Sequence, residues 1–172
     1  MGMDGPTLDE CLEMGKTCAC YNLRRAARAV TQVFDAHFDE IGLRATQFTV
    51  LAALAWSGQT PVTVTELAEV LVLEQSSLSR NLAVLERKGL VKLVPGADRR
   101  ERIVTLTRGG RTTLAKGYPL WKKAQATIAE AVDPRELEVQ LRALRKMTRS
   151  AQSARPARPA AKEKRPSTRA TV

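Results

Sequence analysis

Apolar residues recur at gaps of three and four along most of this chain, the spacing that lines one face of an α-helix. Leu23, Ala26, Ala27, Val30, Val33, Phe34, Phe38 and Ile41 form one such face and predict a long helix from Cys20 to Ile41. Arg24, Arg25, Arg28, Gln32, Asp35 and Asp39 fall mostly elsewhere on it, and Gly42 ends it with a left-handed cap. Phe48, Leu51, Leu54 and Ala55 predict a second helix that opens at Thr46 and closes near Ser57-Gly58. Val62-Thr63-Val64 is too short for a helix and reads as a small strand. Thr65 is the expected N-cap of a helix carrying Leu67, Ala68 and Leu71. Gln75-Ser76-Ser77 opens another, with Leu78, Leu82 and Leu85 in register until Lys88-Gly89.

Two short helices joined by a few residues make a helix-turn-helix. Leu90–Val94 and Ile103–Leu106 follow as β-rich runs, and PGADRRER between them predicts a tight, highly charged hairpin tip. Thr107 then caps a helix bearing Leu114, Tyr118, Trp121, Ile128 and Val132, which Pro119 should kink or split. Asp133-Pro134 is an N-cap with proline at the first helical position. The last helix runs to about Thr148 with Leu137, Leu141, Leu144 and Met147 on one face. Residues 150–172 alternate alanine, proline, lysine and arginine without an apolar period and read as a disordered basic tail. The fold class expected is mainly α with a small β-wing, a winged helix-turn-helix from about Val62 to Gly110 with helices before and after it.

Charge sharpens this picture. The net charge is +10, a balance that favours a polyanionic partner, nucleic acid first and an anionic membrane surface second. The tail alone carries six basic residues and one acidic, or +5, so the body has to make its case through motifs. Aromatics at 4% argue against a stacking platform for single strands. No stretch approaches the roughly 18 to 20 apolar residues of a membrane span. The acidic start, MGMDGPTLDECLEMGK, has no continuous apolar core and does not read as a secretory signal. Cys11, Cys18 and Cys20 make no disulfide framework, so a cytoplasmic chain with reduced thiols is expected.

A recognition helix fits the major groove and a wing tip reaches a neighbouring groove. With its leucines turned inward, the second helix of the motif exposes Gln75, Ser76, Ser77, Ser79, Arg80 and Asn81. Arg80 suits a bidentate guanine contact, Asn81 an adenine or a phosphate, and the serines phosphate oxygens. Arg99, Arg100 and Arg102 on the wing suit a narrow minor groove, with Asp98 orienting a neighbouring arginine. Each set has a plainer account: a solvated polar face for the helix and a charge-solubilised hairpin for the wing.

The stretch from Val64 to Gly110, VTELAEVLVLEQSSLSRNLAVLERKGLVKLVPGADRRERIVTLTRGG, resembles the core of the MarR family of winged-helix repressors. The most specific piece is Asp98-Arg99-Arg100 followed by Val104-Thr105-Leu106-Thr107 and Gly110. With the helices before and behind, the resemblance covers residues 18–149. It implies a DNA-binding lobe at about 46–110, dimerisation helices at about 18–41 and 111–149, and an N-terminal extension over 1–17. It also implies a homodimer on a pseudo-palindromic operator of double-stranded DNA, with Arg100 in the minor groove and Asp98 as its support. One departure is Val72, where many members place glycine.

The resemblance further implies a switch, most often a small anionic aromatic or lipophilic ligand that releases the DNA. Arg24 or Arg28 would pair its carboxylate, and Tyr21, His37, Phe48 and Trp56 would line its pocket. The alternative is peroxide or electrophile sensing by Cys20, with Cys18 beside it, because a thiolate at a helix N-terminus is favoured by the dipole. The tyrosines that assist the sensing thiolate in that subgroup are replaced here by Phe34 and Ala45, which cannot hydrogen-bond sulfur. A small buried apolar thiol is the structural account of the same residues. One histidine and clustered cysteines do not make a zinc site, and no glycine-rich phosphate loop or nucleophile–histidine pair points to an enzyme or a cofactor. The tail either tracks phosphates or keeps the chain soluble.

Overall fold

The structure, a computed structural model, describes residues 5–58, 60–96, 98 and 101–154. Among them are seven α-helices and three short strands, with the chain dividing into compact units Met1–Ala131 and Val132–Val172. This is the mainly α architecture with a small β-wing that the apolar pattern predicts.

The first unit starts with a helix the periodicity did not predict, α1 (Leu8–Thr17). Thr7 caps it reciprocally with Glu10: the Glu10 N–H donates to the Thr7 hydroxyl, and the Thr7 N–H to the Glu10 carboxylate at 2.7 Å. α2 (Ala19–Phe38) runs into a 3-10 turn over Asp39–Ile41, and Gly42 closes it at φ 63, the left-handed cap expected there. α3 (Ala45–Trp56) follows at a braced corner. The Asp35 carboxylate accepts the Ala45 N–H at 2.7 Å and lies 3.6 Å from the Arg44 guanidinium.

α3 is the inner wall of the unit, with Phe48, Val50, Leu51, Ala53 and Leu54 all buried. β1 (Val62–Thr63) leads straight into α4 (Val64–Val70). Thr63, rather than the expected Thr65, is the N-cap, because only Thr63 stands three residues before a glutamate, Glu66, that can complete a capping box. After α5 (Gln75–Arg87), β2 (Val91–Pro95) and β3 (Arg102–Leu106) pair antiparallel with Val91 opposite Leu106 and Pro95 opposite Arg102. β3 also pairs with β1, so the sheet order is β1-β3-β2.

Thr107 caps α6 (Arg108–Val132), its hydroxyl accepting the Gly110 N–H at 2.9 Å. Pro119 does not split this helix. Its buried residues are Gly110, Gly117, Leu120 and Ala124; of the expected apolar face, Leu114, Ile128 and Val132 are half-buried, whereas Tyr118 and Trp121 are exposed. Small residues win because the backbone comes so close: a Cβ on Gly110 would meet the Leu90 carbonyl oxygen at 2.1 Å.

The second unit holds α7 (Pro134–Ser153), started as expected by Asp133, whose carboxylate accepts the Arg135 and Glu136 N–H groups. The helix runs past Thr148 into the segment read as tail, and residues 155–172 lie outside those described.

Candidate nucleic-acid interface

α5 is a two-sided rod. Leu78, Leu82 and Leu85 are 0%, 1% and 0% exposed and join a core with Leu51, Leu54, Leu67 and Val104. Burial of each leucine contributes roughly 1.5–3 kcal/mol, so this face cannot turn outward without losing its anchor. The opposite face carries Gln75, Ser76, Ser77, Ser79 and Arg80 exposed, and Asn81 half-buried.

Three of these six are already engaged. The Gln75 amide donates to the Thr65 hydroxyl at 3.0 Å, the Ser79 hydroxyl to the Gln75 carbonyl at 2.7 Å, and the Asn81 amide to the Ser77 carbonyl at 3.3 Å. Among the described residues, Ser76, Ser77 and Arg80 have no such side-chain partner. Glu74 at the N-cap places no side-chain acceptor on the first turn. The N–H groups there, at the positive end of the helix dipole, match the demand of a phosphate.

The wing stands beside this helix. The Gly96 N–H donates to the Glu101 carbonyl and the Glu101 N–H to the Asp98 carbonyl, both at 2.9 Å, which closes a tight turn. Arg102 opens β3 and is exposed, as is Asp98. Arg99 and Arg100 lie outside the described residues. Between α5 and the wing is a cleft of ≈250 Å³ whose polar lining includes Thr65, Gln75, Ser79, Glu86, Glu101 and Arg102. Thr65, Glu86 and Glu101 were not named from the sequence as site residues, since only the fold brings α4, α5 and the wing to one cleft.

The MarR family profile matches residues 41–101, the segment from the α2–α3 corner to the start of β3. The M. tuberculosis transcriptional regulator MosR, solved in complex with DNA, is 38% identical over 81% of this chain and 99% of its own, with a TM-score of 0.70. The chain belongs to the MarR family. Bordetella bronchiseptica BpsR, whose DNA binding is regulated by 6-hydroxynicotinic acid, is 26% identical over 74% of this chain and 96% of its own, at a TM-score of 0.66. YwoH of Bacillus subtilis, an uncharacterised HTH-type transcriptional regulator, is 30% identical over 88 residues, which are 51% of this chain and 63% of YwoH.

In this MarR chain the six residues expected around an effector are scattered. Phe48 is in the core, stacked on Phe38 at 4.3 Å between ring centroids, whereas Trp56 at the far end of α3 is 82% exposed. Tyr21, Arg24 and Arg28 are exposed along α2. His37 is half-buried, its Nδ1 2.9 Å from the Val33 carbonyl oxygen. None of the six lines the groove that α3, β3 and α6 do form. That groove measures ≈590 Å³ and has Ala55, Gly58, Leu106, Leu114 and Tyr118 as walls and Arg111 as its cation. Sequence reasoning missed Arg111 because Ala55 and Gly58, which complete the groove with it, are remote in the chain.

The thiols also differ from expectation. Cys11 on α1, Cys18 between α1 and α2, and Cys20 on α2 are all free and exposed rather than buried. Cys18 is the N-cap of α2, its sulfur accepting the Tyr21 N–H at 3.4 Å. Among the described residues no helix is long and apolar enough to cross a membrane.

Proposed function

We propose that this MarR-family protein is a transcriptional regulator that binds double-stranded DNA sequence-specifically, as a homodimer on a pseudo-palindromic operator, and represses until a small-molecule effector releases it. The observation that carries this is α5, whose leucine face is locked into the core while Ser76, Ser77 and Arg80 stand unengaged beside the wing. In the resulting picture α5 enters the major groove, Arg80 reads a base edge, the serines and first-turn N–H groups hold phosphates, and Asp98, Arg99, Arg100 and Arg102 extend the contact through the wing. MosR, solved in complex with DNA, supports DNA binding by this chain. Half-sites then lie about one helical turn apart. Selection of duplexes from a random pool by the purified chain, followed by gel shift, tests this. Enrichment of a two-fold-symmetric sequence whose binding R80A weakens supports the reading; no enrichment removes it.

Effector release is supported by the groove at Arg111, where a guanidinium at an apolar wall suits the carboxylate of a small aromatic or lipophilic acid. BpsR, with its 6-hydroxynicotinic acid, provides the precedent for that ligand chemistry. A thermal-shift screen of aromatic carboxylates should give hits that R111A loses. The alternative switch is oxidation at Cys20, in which the thiolate attacks a hydroperoxide to give the sulfenic acid and the corresponding alcohol. Exposure of Cys18 and Cys20 supports it. Unchanged duplex binding by protein carrying Cys20 sulfenate would remove it.

A further inference from the structure

The turn between α4 and α5 holds a valine where backbone sterics disfavour one. Val72 has φ 53, the left-handed region in which a β-branched side chain crowds its own backbone. Local hydrogen bonds hold it there. The Leu73 N–H reaches the Ala68 carbonyl at 2.9 Å, and the Val72 N–H reaches the Glu69 carbonyl at 3.1 Å. This pair of bonds closes a helix through one left-handed residue, a position that glycine usually fills. Burial does little to offset the strain, because Val72 is 47% exposed between an exposed Val70 and an exposed Leu73.

The strained residue sits at an informative place. α5 is tied down near both ends: at its first residue by Gln75 to Thr65 of α4, and at its C-terminal end by the Glu86 carboxylate to the Leu93 N–H of β2 and the Lys88 ammonium to the Gly42 carbonyl at the end of the 3-10 turn. The two residues between Val72 and α5 are Leu73 and Glu74, so Val72 sets the direction in which the N-terminal turns leave α4. Glycine would reach the same φ with wide latitude around it. Valine has a narrow left-handed well and a stiff χ1, and so makes a stiffer joint.

We propose that Val72 is a positioning residue for duplex recognition: a strained, stiff joint that holds the first turns of α5 in one orientation at the expense of fold stability. The proposal rests on the reading of α5 as the DNA-recognition helix. Backbone strain kept at a functional site, rather than relaxed by mutation, is a general pattern, and here it implies a trade. Relieving the strain makes the chain more stable and a poorer reader.

The test compares V72G, V72I and R80A with the wild-type chain, using thermal melts and binding to the duplex that the wild-type chain enriches from a random pool. V72G is expected to raise the melting midpoint by about 2–4 °C. It should also bind the enriched duplex several-fold more weakly while keeping its affinity for an unrelated duplex, whereas V72I, equally β-branched, keeps wild-type discrimination. A purely structural role would move stability and affinity together. V72G binding as tightly as wild type while R80A is weakened overturns the proposal alone, as does a lowered V72G midpoint or a V72I variant as impaired as V72G. R80A binding like wild type, or no duplex enriched, overturns the reading of α5 and the proposal with it.

Discussion

Thr63 ends β1, caps α4 and exchanges hydrogen bonds with Glu66, whose carboxylate accepts both the Thr63 N–H and the Thr63 hydroxyl. Those two bonds hold the Glu66 carboxyl below its ordinary value. A depressed carboxyl stabilises the fold when ionised, so its contribution is complete above the ordinary glutamate value, about 4.3. It is lost as pH falls through the lower folded value. The difference in melting midpoint between wild type and E66Q should therefore shrink as the pH is taken below about 4.3, and a gap that stays constant would contradict the assignment. The sequence contained this cap as Thr-x-x-Glu, but Val-Thr-Val-Thr offers two threonines, and only the position of Glu66 decides between them. Gly110 shows the reverse case: the resemblance supplied it as a motif residue, and its reason, the Leu90 carbonyl against α6, exists only in three dimensions. On the wing, Arg100→Ala should weaken duplex binding roughly tenfold or more without changing the melting midpoint. Retained affinity, measured by gel shift, would refute the wing assignment.

At the scale of elements, periodicity located α2, α3, α5 and α7 well because their apolar residues are large and evenly spaced. It did not find the most deeply buried positions of α6, two of which are glycines. Hydrophobic spacing weights Tyr118 and Trp121, whereas close helix packing selects Gly117, where a Cβ would meet Phe48 at 2.3 Å. α1 escaped because its apolar residues are never buried; its only firm signal is the box between Thr7 and Glu10. α6 also tolerates Pro119, which has no N–H to donate to the preceding turn and crowds its carbonyl. Restoring that bond should stabilise the helix, so P119A is expected to raise the thermal midpoint followed by circular dichroism. A lowered midpoint would mean that the ring makes packing contacts worth more than the missing bond.

At the scale of the molecule, the order of helices and strands from α2 to α7 was legible, while α1 and the assembly were not. Neither α1 nor α7 buries a residue, and each shows apolar side chains to solvent, Leu8 and Leu12 on one and Leu141, Leu144 and Met147 on the other. Such faces are what the proposed dimer would cover, but periodicity marks a face without naming its partner. The basic segment 150–172 makes its own prediction. If its cations track phosphates, deleting it lowers the slope of log affinity against log salt, and an unchanged slope assigns it to solubility. The sheet order carries one more consequence. β3 lies between β1, which precedes the helix-turn-helix, and β2, which follows it. A backbone cut at the wing tip would therefore leave β3 flanked on both sides by strands of the other piece. Residues 98–172 supply a complementing strand and 1–97 the slot that receives it. Co-expressed, the two pieces should co-purify and show the helical circular dichroism of the intact chain, which would make the wing a split point at which this regulator can be assembled on demand.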